Sequence, residues 1–187
     1  MMLKWVIADS EQHREDGVRF LCKHAEDLGV PYQWCTVMDF VYMSASDDGF
    51  MMALDEQGRV RGILMYTPFL MKMSGAERIR IEIQLLYLEK EVRGGRAIAR
   101  AVEAFAEREL ELPEPAFDVE FFVVQSDANR RLFGKIASLS ETQLHTCGPL
   151  DVFRTTPDLL RRAAAMVFSR TGRRQTNKTG MNAGLQS

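Results

Sequence analysis

The sequence feature that most constrains the fold is an alternating run that ends shortly before a pair of glycines. In ERIRIEIQLLYL, residues 77–88, apolar and polar side chains alternate until both sides become apolar from Leu86 onward. A period of two predicts a strand with one buried face. We expect that face to carry Ile79, Ile81, Ile83, Leu85 and Tyr87.

The strand is followed by the turn VRGGRA, residues 92–97, and then by a strong helical pattern. In AIARAVEAFAEREL, apolar residues recur at helical spacing and form one stripe. Adjacent glycines are costly in regular structure because each loses more backbone freedom on folding than other residues. The turn is therefore read in two ways: as an ordinary connection, or as a place where backbone N–H groups at a helix N terminus bind a phosphate.

The remaining segments alternate between strands and helices. An N-terminal strand precedes a helix that stops at Gly29, and FMMALD and VRGILMYTPFLMKM form a hairpin around EQGR. Together with the later segments, the order indicates an α+β fold with a mixed, mostly antiparallel sheet flanked by helices. TPD at 156–158 has the residue types of a helix start. We therefore predict one domain over residues 1–155 and a C-terminal helix with a basic tail over residues 156–187.

Composition limits the environment of the chain. Hydrophobic residues make up 46% of its 187 residues, enough for the core of one domain. No apolar run approaches the roughly 18–20 residues of a membrane span, and the first residues lack a signal-peptide pattern. We therefore expect a cytoplasmic protein without a membrane span. The three histidines and three cysteines show no ligand spacing, so no metal site is predicted.

The charge is unevenly distributed along the chain. The net charge is −2, yet residues 161–187 contain six basic residues and no acidic one. Such a tail favours either contact with a negatively charged partner or a solvated end. Because the tail has almost no aromatic side chains to stack on bases, its composition disfavours nucleic acid. We expect any partner of residues 156–187 to be a protein.

Two segments carry a resemblance to a known family. LYLEKEVRGGRAIARAVEAF resembles the strand, turn and helix of the GCN5-related N-acetyltransferase (GNAT) family. Its RGGRA form is similar to acetyltransferase-like proteins encoded by bacteriophages. VVQSDANRRLFGKIA resembles the following strand and helix of the family, with Ser126 or Asp127 as the helix cap. The resemblance implies the GNAT fold, acetyl-CoA as cofactor, and transfer of an acetyl group to a small-molecule or protein amine.

The resemblance also implies positions for the cofactor. The backbone of Leu86 and Leu88 would pair with the pantetheine arm. The turn would hold the pyrophosphate, with backbone access at the glycines and positive charge from the arginines. Asn129 would orient cofactor or substrate, or else form a hydrogen bond at the start of its own helix. The implied cofactor-binding residues are Leu86, Leu88, Arg93, Gly94, Gly95, Arg96, Ala97, Asn129 and Phe133.

The chain departs from the family pattern where proton transfer is concerned. Many members carry a tyrosine that protonates the departing thiolate, and the matching residue here is Phe133. A base is still needed to make the amine neutral. Glu82 is our candidate base and Glu120, on the next strand, the second choice. The alternative for Glu82 is an ion pair with Arg80 or Arg61 on the sheet.

These departures leave two functions open. The first is a GNAT-type N-acyltransferase that uses acetyl-CoA. The second is a catalytically silent protein of the same fold, such as a bacteriophage virion component. In that case the protein would be found in the host cytoplasm or the virion. Phe133, the phage-like RGGRA variant and the basic tail favour the second reading.

Overall fold

A computed structural model describes residues 3–29, 32–73, 75–112 and 114–180. Residues 181–187 of the predicted basic tail lie outside the described residues. The strands are β1 (Lys4–Ile7), β2 (Phe50–Leu54), β3 (Val60–Met73), β4 (Ala76–Leu88), β5 (Asp118–Val124), β6 (Ser138–His145) and β7 (Gly148–Thr155). The helices are α1 (Glu11–Lys23), a short 3-10 helix (Ala25–Asp27), α2 (Trp34–Ser46), α3 (Gly95–Glu111), α4 (Asp127–Phe133) and α5 (Pro157–Gly180).

The strands form one sheet between two layers of helices. Within the described residues its seven strands lie in the order β1-β2-β3-β4-β5-β7-β6. Every pair is antiparallel except β4 and β5, which are parallel. One core cluster joins the sheet to α1 and α2 and includes Leu21 and Val37, and the other joins it to α3 and α5 and includes Phe105 and Leu160. The predicted mixed, mostly antiparallel α+β fold is confirmed.

Local signals placed several boundaries correctly, although the first helix ends at Lys23 and not at the predicted Gly29. The β2–β3 hairpin turns at Gly58, whose φ of 75° is the left-handed conformation that glycine adopts readily. Ser126 caps α4, since its hydroxyl accepts a hydrogen bond from the N–H of Asn129. Thr156 likewise accepts from the N–H of Leu159 at the start of α5. No helix among the described residues is long and apolar enough to span a membrane.

The expected single apolar face of β4 is wrong, because the strand contains a β-bulge. Leu85 pairs with Met65 and Ile83 with Tyr66, which leaves Gln84 as the extra residue. A one-residue insertion exchanges the two faces of a strand beyond it. Ile79, Ile81 and Ile83 accordingly pack with the α3 and α5 cluster. Leu85 and Tyr87 pack with the α1 and α2 cluster.

A buried carboxyl under α3 makes stability depend on pH. Glu109 is 1% exposed, and among the described residues its Oε2 has no hydrogen-bond partner. Burial raises the pKa of Glu109 above 4.5, against smaller lowering effects of the Tyr66 hydrogen bond and the Arg108 charge. A carboxyl with a raised pKa in the folded state contributes stability below its unfolded pKa and loses it as pH rises. The ionised form therefore destabilises the fold at neutral pH.

We expect Glu109→Gln to raise the melting temperature at pH 7. The gain should be about 1 kcal/mol, or roughly 2–4 °C, because the buried charge is removed while an acceptor for Tyr66 is kept. The difference from wild type should shrink towards zero below pH 4.5, where Glu109 is protonated in both folded and unfolded states. Thermal unfolding at several pH values measures it, with exposed Glu107→Gln as the control on the same helix.

Candidate functional site

Strands β4 and β5 separate in the middle of the sheet. Their parallel pairing runs from Arg80 and Asp118 to Ile83 and Phe121 and goes no further in the described residues. Beyond that point β4 remains paired with β3, and β5 remains paired with β7. The separation begins next to Gln84, the bulged residue. We call the space between the C-terminal halves of these two neighbouring strands the opening.

The backbone of β4 presents polar groups to this opening. The N–H of Glu89 donates to the C=O of Arg61 on β3 at 3.0 Å. Because the C=O and N–H of a trans peptide point in opposite directions, the Leu88 C=O points away from β3 and towards the opening. Leu86 lies two residues earlier and presents its backbone to the same side. A ligand in the opening would therefore meet main-chain groups at Leu86, whereas the Leu88 C=O already accepts hydrogen bonds from Arg93.

The N terminus of α3 lies at the end of β4 and is open to solvent. No side chain caps it, and Gly94 precedes it with an extended backbone (φ −179°, ψ 167°). A Cβ placed on Gly94 or Gly95 would meet no atom within 4 Å. The fold itself therefore does not require glycine at either position. The backbone N–H groups of the first turn, at Gly95, Arg96 and Ala97, are accessible donors.

The two arginines of the turn differ in their surroundings. Arg93 Nε and Nη2 donate to the C=O of Leu88 at 3.1 and 3.0 Å, and its guanidinium lies 5.3 Å above the Tyr87 ring. Arg96 is exposed and makes no hydrogen bond or ion pair with the described residues. Arg96 is thus the cation of the turn that is available to an anion, while Arg93 is held on β4.

Glu82 carries a free carboxylate beside the opening. Glu82 is half-buried on the α1 and α2 face, and its side chain makes no hydrogen bond or ion pair with any described residue. Arg80 is paired with Asp118 instead, and Arg61 with Glu89. The alternative of an ion pair on the sheet is therefore not what the structure shows. Burial, and then the charge of Glu120, raises the pKa of Glu82 above its usual range.

Glu120 lies directly opposite Glu82 in the β4–β5 register. Its Oε2 is 2.6 Å from Arg154 Nε and 3.7 Å from Arg80 Nη1. The Glu120 carboxylate is therefore held by two cations on the sheet. The charge of Glu120 in turn disfavours ionisation of Glu82. Of the two candidate carboxylates, Glu82 is the one free to accept a proton.

Tyr32, whose phenol is influenced by the charge of Glu82, meets two side chains of the β6–β7 turn. Tyr32 packs edge-on against the His145 ring at 5.8 Å, and His145 Nδ1 is 2.9 Å from Cys147 Sγ. Burial, with smaller effects of Glu82 and Cys147, raises the pKa of Tyr32 to about 12, so its phenol stays protonated at neutral pH. His145 and Cys147 were not among the candidate residues. No local pattern joins the β6–β7 turn to Tyr32.

Helix α4 places the last two candidate residues. The side-chain amide of Asn129 donates to the C=O of Val124 at 2.8 Å, so it serves the junction of β5 and α4. The ring of Phe133 lies 5.3 Å from Phe121 and 5.8 Å from Phe153. Both side chains therefore have structural partners in this state. Phe133 has no group that donates or accepts a proton.

Comparison with known proteins identifies the fold. No family model matches the chain, and no curated protein matches it. Solved structures do match. Agmatine N-acetyltransferase superposes with a TM-score of 0.62 at 14% identity, covering 83% of this chain and 100% of that one. Arabidopsis thaliana NAA60 in complex with acetyl-CoA gives 0.61 at 14%, covering 83% and 99%.

A third structure agrees with these two. The NatC complex bound to Gag peptide and CoA matches with a TM-score of 0.60 at 14% identity, over 83% of this chain and 99% of that chain. The mixed sheet with its separated β4 and β5 is thus the GNAT acyl-CoA N-acyltransferase fold. At these identities the comparison shows the fold of the chain alone.

Proposed function

We propose that the protein is an N-acyltransferase that moves an acetyl group from acetyl-CoA to an amine. The observation that carries this proposal is the opening between β4 and β5, because it brings two features together. The backbone of Leu86 lies along one side without a partner on β5, and the opening ends at the uncapped N terminus of α3. The unpaired carboxylate of Glu82 lies where the two strands begin to separate.

The residues present fit coenzyme A. Its diphosphate needs donors and positive charge, which the first turn of α3 and Arg96 offer. Free space above Gly94 and Gly95 lets a phosphate approach the backbone. The Leu86 backbone would hold a pantetheine amide, and Leu88 would offer its C=O in exchange for the Arg93 guanidinium that it now bonds. The structures of NAA60 in complex with acetyl-CoA and of NatC bound to CoA have the same fold, which supports coenzyme A as the ligand.

The chain supplies positioning and a base. Acetyl-CoA brings the acetyl group as an activated thioester. Glu82 accepts a proton from the amine, directly or through a water, as the nitrogen forms its bond to the acetyl carbon and the carbon–sulfur bond breaks. The proton for the departing sulfur comes from solvent, because Phe133 has none to give. Proximity in the opening supplies the remaining acceleration.

Titration calorimetry tests the proposal directly. We expect CoA and acetyl-CoA to bind at micromolar concentration, and thiol release to follow when a small-molecule or peptide amine is added. Absence of binding for both CoA and acetyl-CoA contradicts the proposal.

The second candidate is a protein that keeps this fold without turnover, acting through a protein partner of residues 156–187. The packing of Phe133 between two phenylalanines favours it, since no acid faces the opening from that position. Binding of acetyl-CoA without thiol release for any amine tested is the result that this candidate predicts. None of the structures compared above is described as a phage protein, so the resemblance to phage-encoded proteins stays a prediction.

A further inference from the structure

A buried carboxylate lies behind the turn that joins β4 to α3. Glu89 is 7% exposed. Its Oε2 lies 2.8 Å from Arg61 Nη1 on β3, and its Oε1 lies 3.0 Å from His24 Nε2 at the end of α1. The Nζ atom of Lys23 lies 4.0 Å from the same Oε1 atom of Glu89. We call Lys23, His24, Arg61, Tyr87 and Glu89 the Glu89 cluster.

The main chain of Glu89 begins the turn that its side chain anchors. Its C=O accepts hydrogen bonds from the N–H groups of Val92 at 3.1 Å and Arg93 at 2.9 Å. Its own N–H donates to the C=O of Arg61. One residue therefore connects α1 and β3, through its side chain, to the first half of the turn, through its backbone.

A second connection reaches the turn through Tyr87. The hydroxyl of Tyr87 is 3.2 Å from His24 Nδ1, so both ring nitrogens of His24 are engaged. Tyr87 also contacts Arg93. The Arg93 guanidinium lies over the Tyr87 ring and donates a hydrogen bond to the C=O of Leu88. Residues 89–93 are thus held at one end by the buried Glu89 side chain and at the other by the Arg93 guanidinium, which bonds to Leu88.

The second half of the turn has no such support. A Cβ added at Gly94 or Gly95 would have no neighbouring atom within 4 Å, and no side chain caps α3. Packing of Phe105 and Ala106 in the core fixes the axis of α3, and residues 89–93 fix how the chain enters its first turn. The hydrogen bonds to Val92 and Arg93 come from the Glu89 C=O, so the carboxylate acts on the turn by fixing where Glu89 itself lies.

We propose that Glu89, supported by His24 and Arg61, is a positioning residue for the diphosphate-binding turn. The proposal rests on the proposed function for the identity of the ligand. It also makes a claim about the free protein: the Glu89 cluster fixes the geometry of the turn before any ligand arrives. Prearranged donors bind an anion more tightly because less ordering remains to be done on binding.

The variant Glu89→Gln tests this claim, with Asp55→Asn as its matched control. Asp55 is also a buried carboxylate that holds a turn, at 6% exposure, through the N–H groups of Gln57 and Arg59. It lies in the β2–β3 turn rather than at α3. Both variants lose one buried charge paired with arginine, so a general loss of stability affects both.

Two measurements separate positioning from stability. In the free protein, hydrogen exchange at the Val92 and Arg93 amides should accelerate in Glu89→Gln and stay at the wild-type rate in Asp55→Asn. In calorimetry, the affinity for CoA should fall about tenfold in Glu89→Gln alone, the equivalent of one hydrogen bond to a charged group. In turnover, KM for acetyl-CoA should rise by the same factor while kcat stays within about twofold.

The outcomes are distinct. Equal effects of the two variants on exchange and affinity overturn the positioning role. If wild type binds no CoA, the proposed function fails, and the exchange rates still decide whether Glu89 holds the turn. If Glu89→Gln does not fold, His24→Gln keeps the carboxylate and removes one partner. It should then show the same split between KM and kcat, and an unchanged KM counts against the proposal.

Discussion

Replacing Glu82 with glutamine should lower kcat by about 10²- to 10⁴-fold, the range that a lost general base usually costs. The substitution keeps the size of the side chain and removes its ability to accept a proton. Because the Glu82 side chain makes no hydrogen bond or ion pair with the described residues, the substitution breaks no interaction that stabilises the fold. Its raised pKa even means that removing the charge should not reduce stability at neutral pH. Steady-state kinetics with thermal unfolding as a control measures both effects.

The pH profile makes this prediction specific. A base acts only when deprotonated, so the rate should rise with pH through the pKa of Glu82, which lies above the usual carboxyl range. That rise should disappear in Glu82→Gln. In Glu120→Gln the neighbouring charge is lost, so the pKa of Glu82 should fall and the rise should move to lower pH. Burial, the larger cause, remains, so the shift should be partial.

A different result would redirect the assignment. If Glu82→Gln retains wild-type kcat and the same pH profile, Glu82 is not the base. The face of the opening near Tyr32 and His145 is then the next place to look. If Glu120→Gln alone abolishes the rate, the ion pair with Arg154 matters more than the free carboxylate.

The parts of the site that lie in one stretch of sequence were predictable. Alternation ending in an apolar run identified β4, and helical spacing identified α3. Two glycines between them identified the turn. These signals are local, since each depends on side chains within one or two turns of backbone. The position of Glu82 on β4 followed from the same pattern.

The parts of the site that depend on tertiary contacts could not be predicted from the sequence. The bulge at Gln84 leaves no trace in the alternation, and it decides which core Leu85 and Tyr87 enter. Helix α2 was missed because its sequence, WCTVMDFVYMSAS, is rich in aromatic and β-branched residues and Gln33 makes no side-chain cap hydrogen bond. The Glu89 cluster joins residues more than 60 positions apart, as the His24–Glu89 contact shows.

Replacing Gly94 with valine should weaken CoA binding by at least about 100-fold and leave the fold stable. The backbone at Gly94 is extended, and its Cβ would meet no protein atom, so the free protein accepts the side chain. A bound diphosphate would instead meet two methyl groups at the start of α3. The expected loss corresponds to about two hydrogen bonds from backbone N–H groups to a charged phosphate. Calorimetry with CoA, alongside thermal unfolding, measures both halves of the prediction.

The choice of ligand supplies the control for this variant. Acetyl-pantetheine contains the thioester and the pantetheine amides of acetyl-CoA and lacks the diphosphate. If the turn binds the diphosphate, Gly94→Val should have the same affinity as wild type for acetyl-pantetheine and a lower affinity for CoA. Arg96→Gln should lose CoA affinity in the same selective way, and more so at low salt, because Arg96 is the cation of the turn with no partner among the described residues. An equal loss for both ligands would place the obstruction along β4, and unchanged affinity for both would remove the diphosphate from this turn.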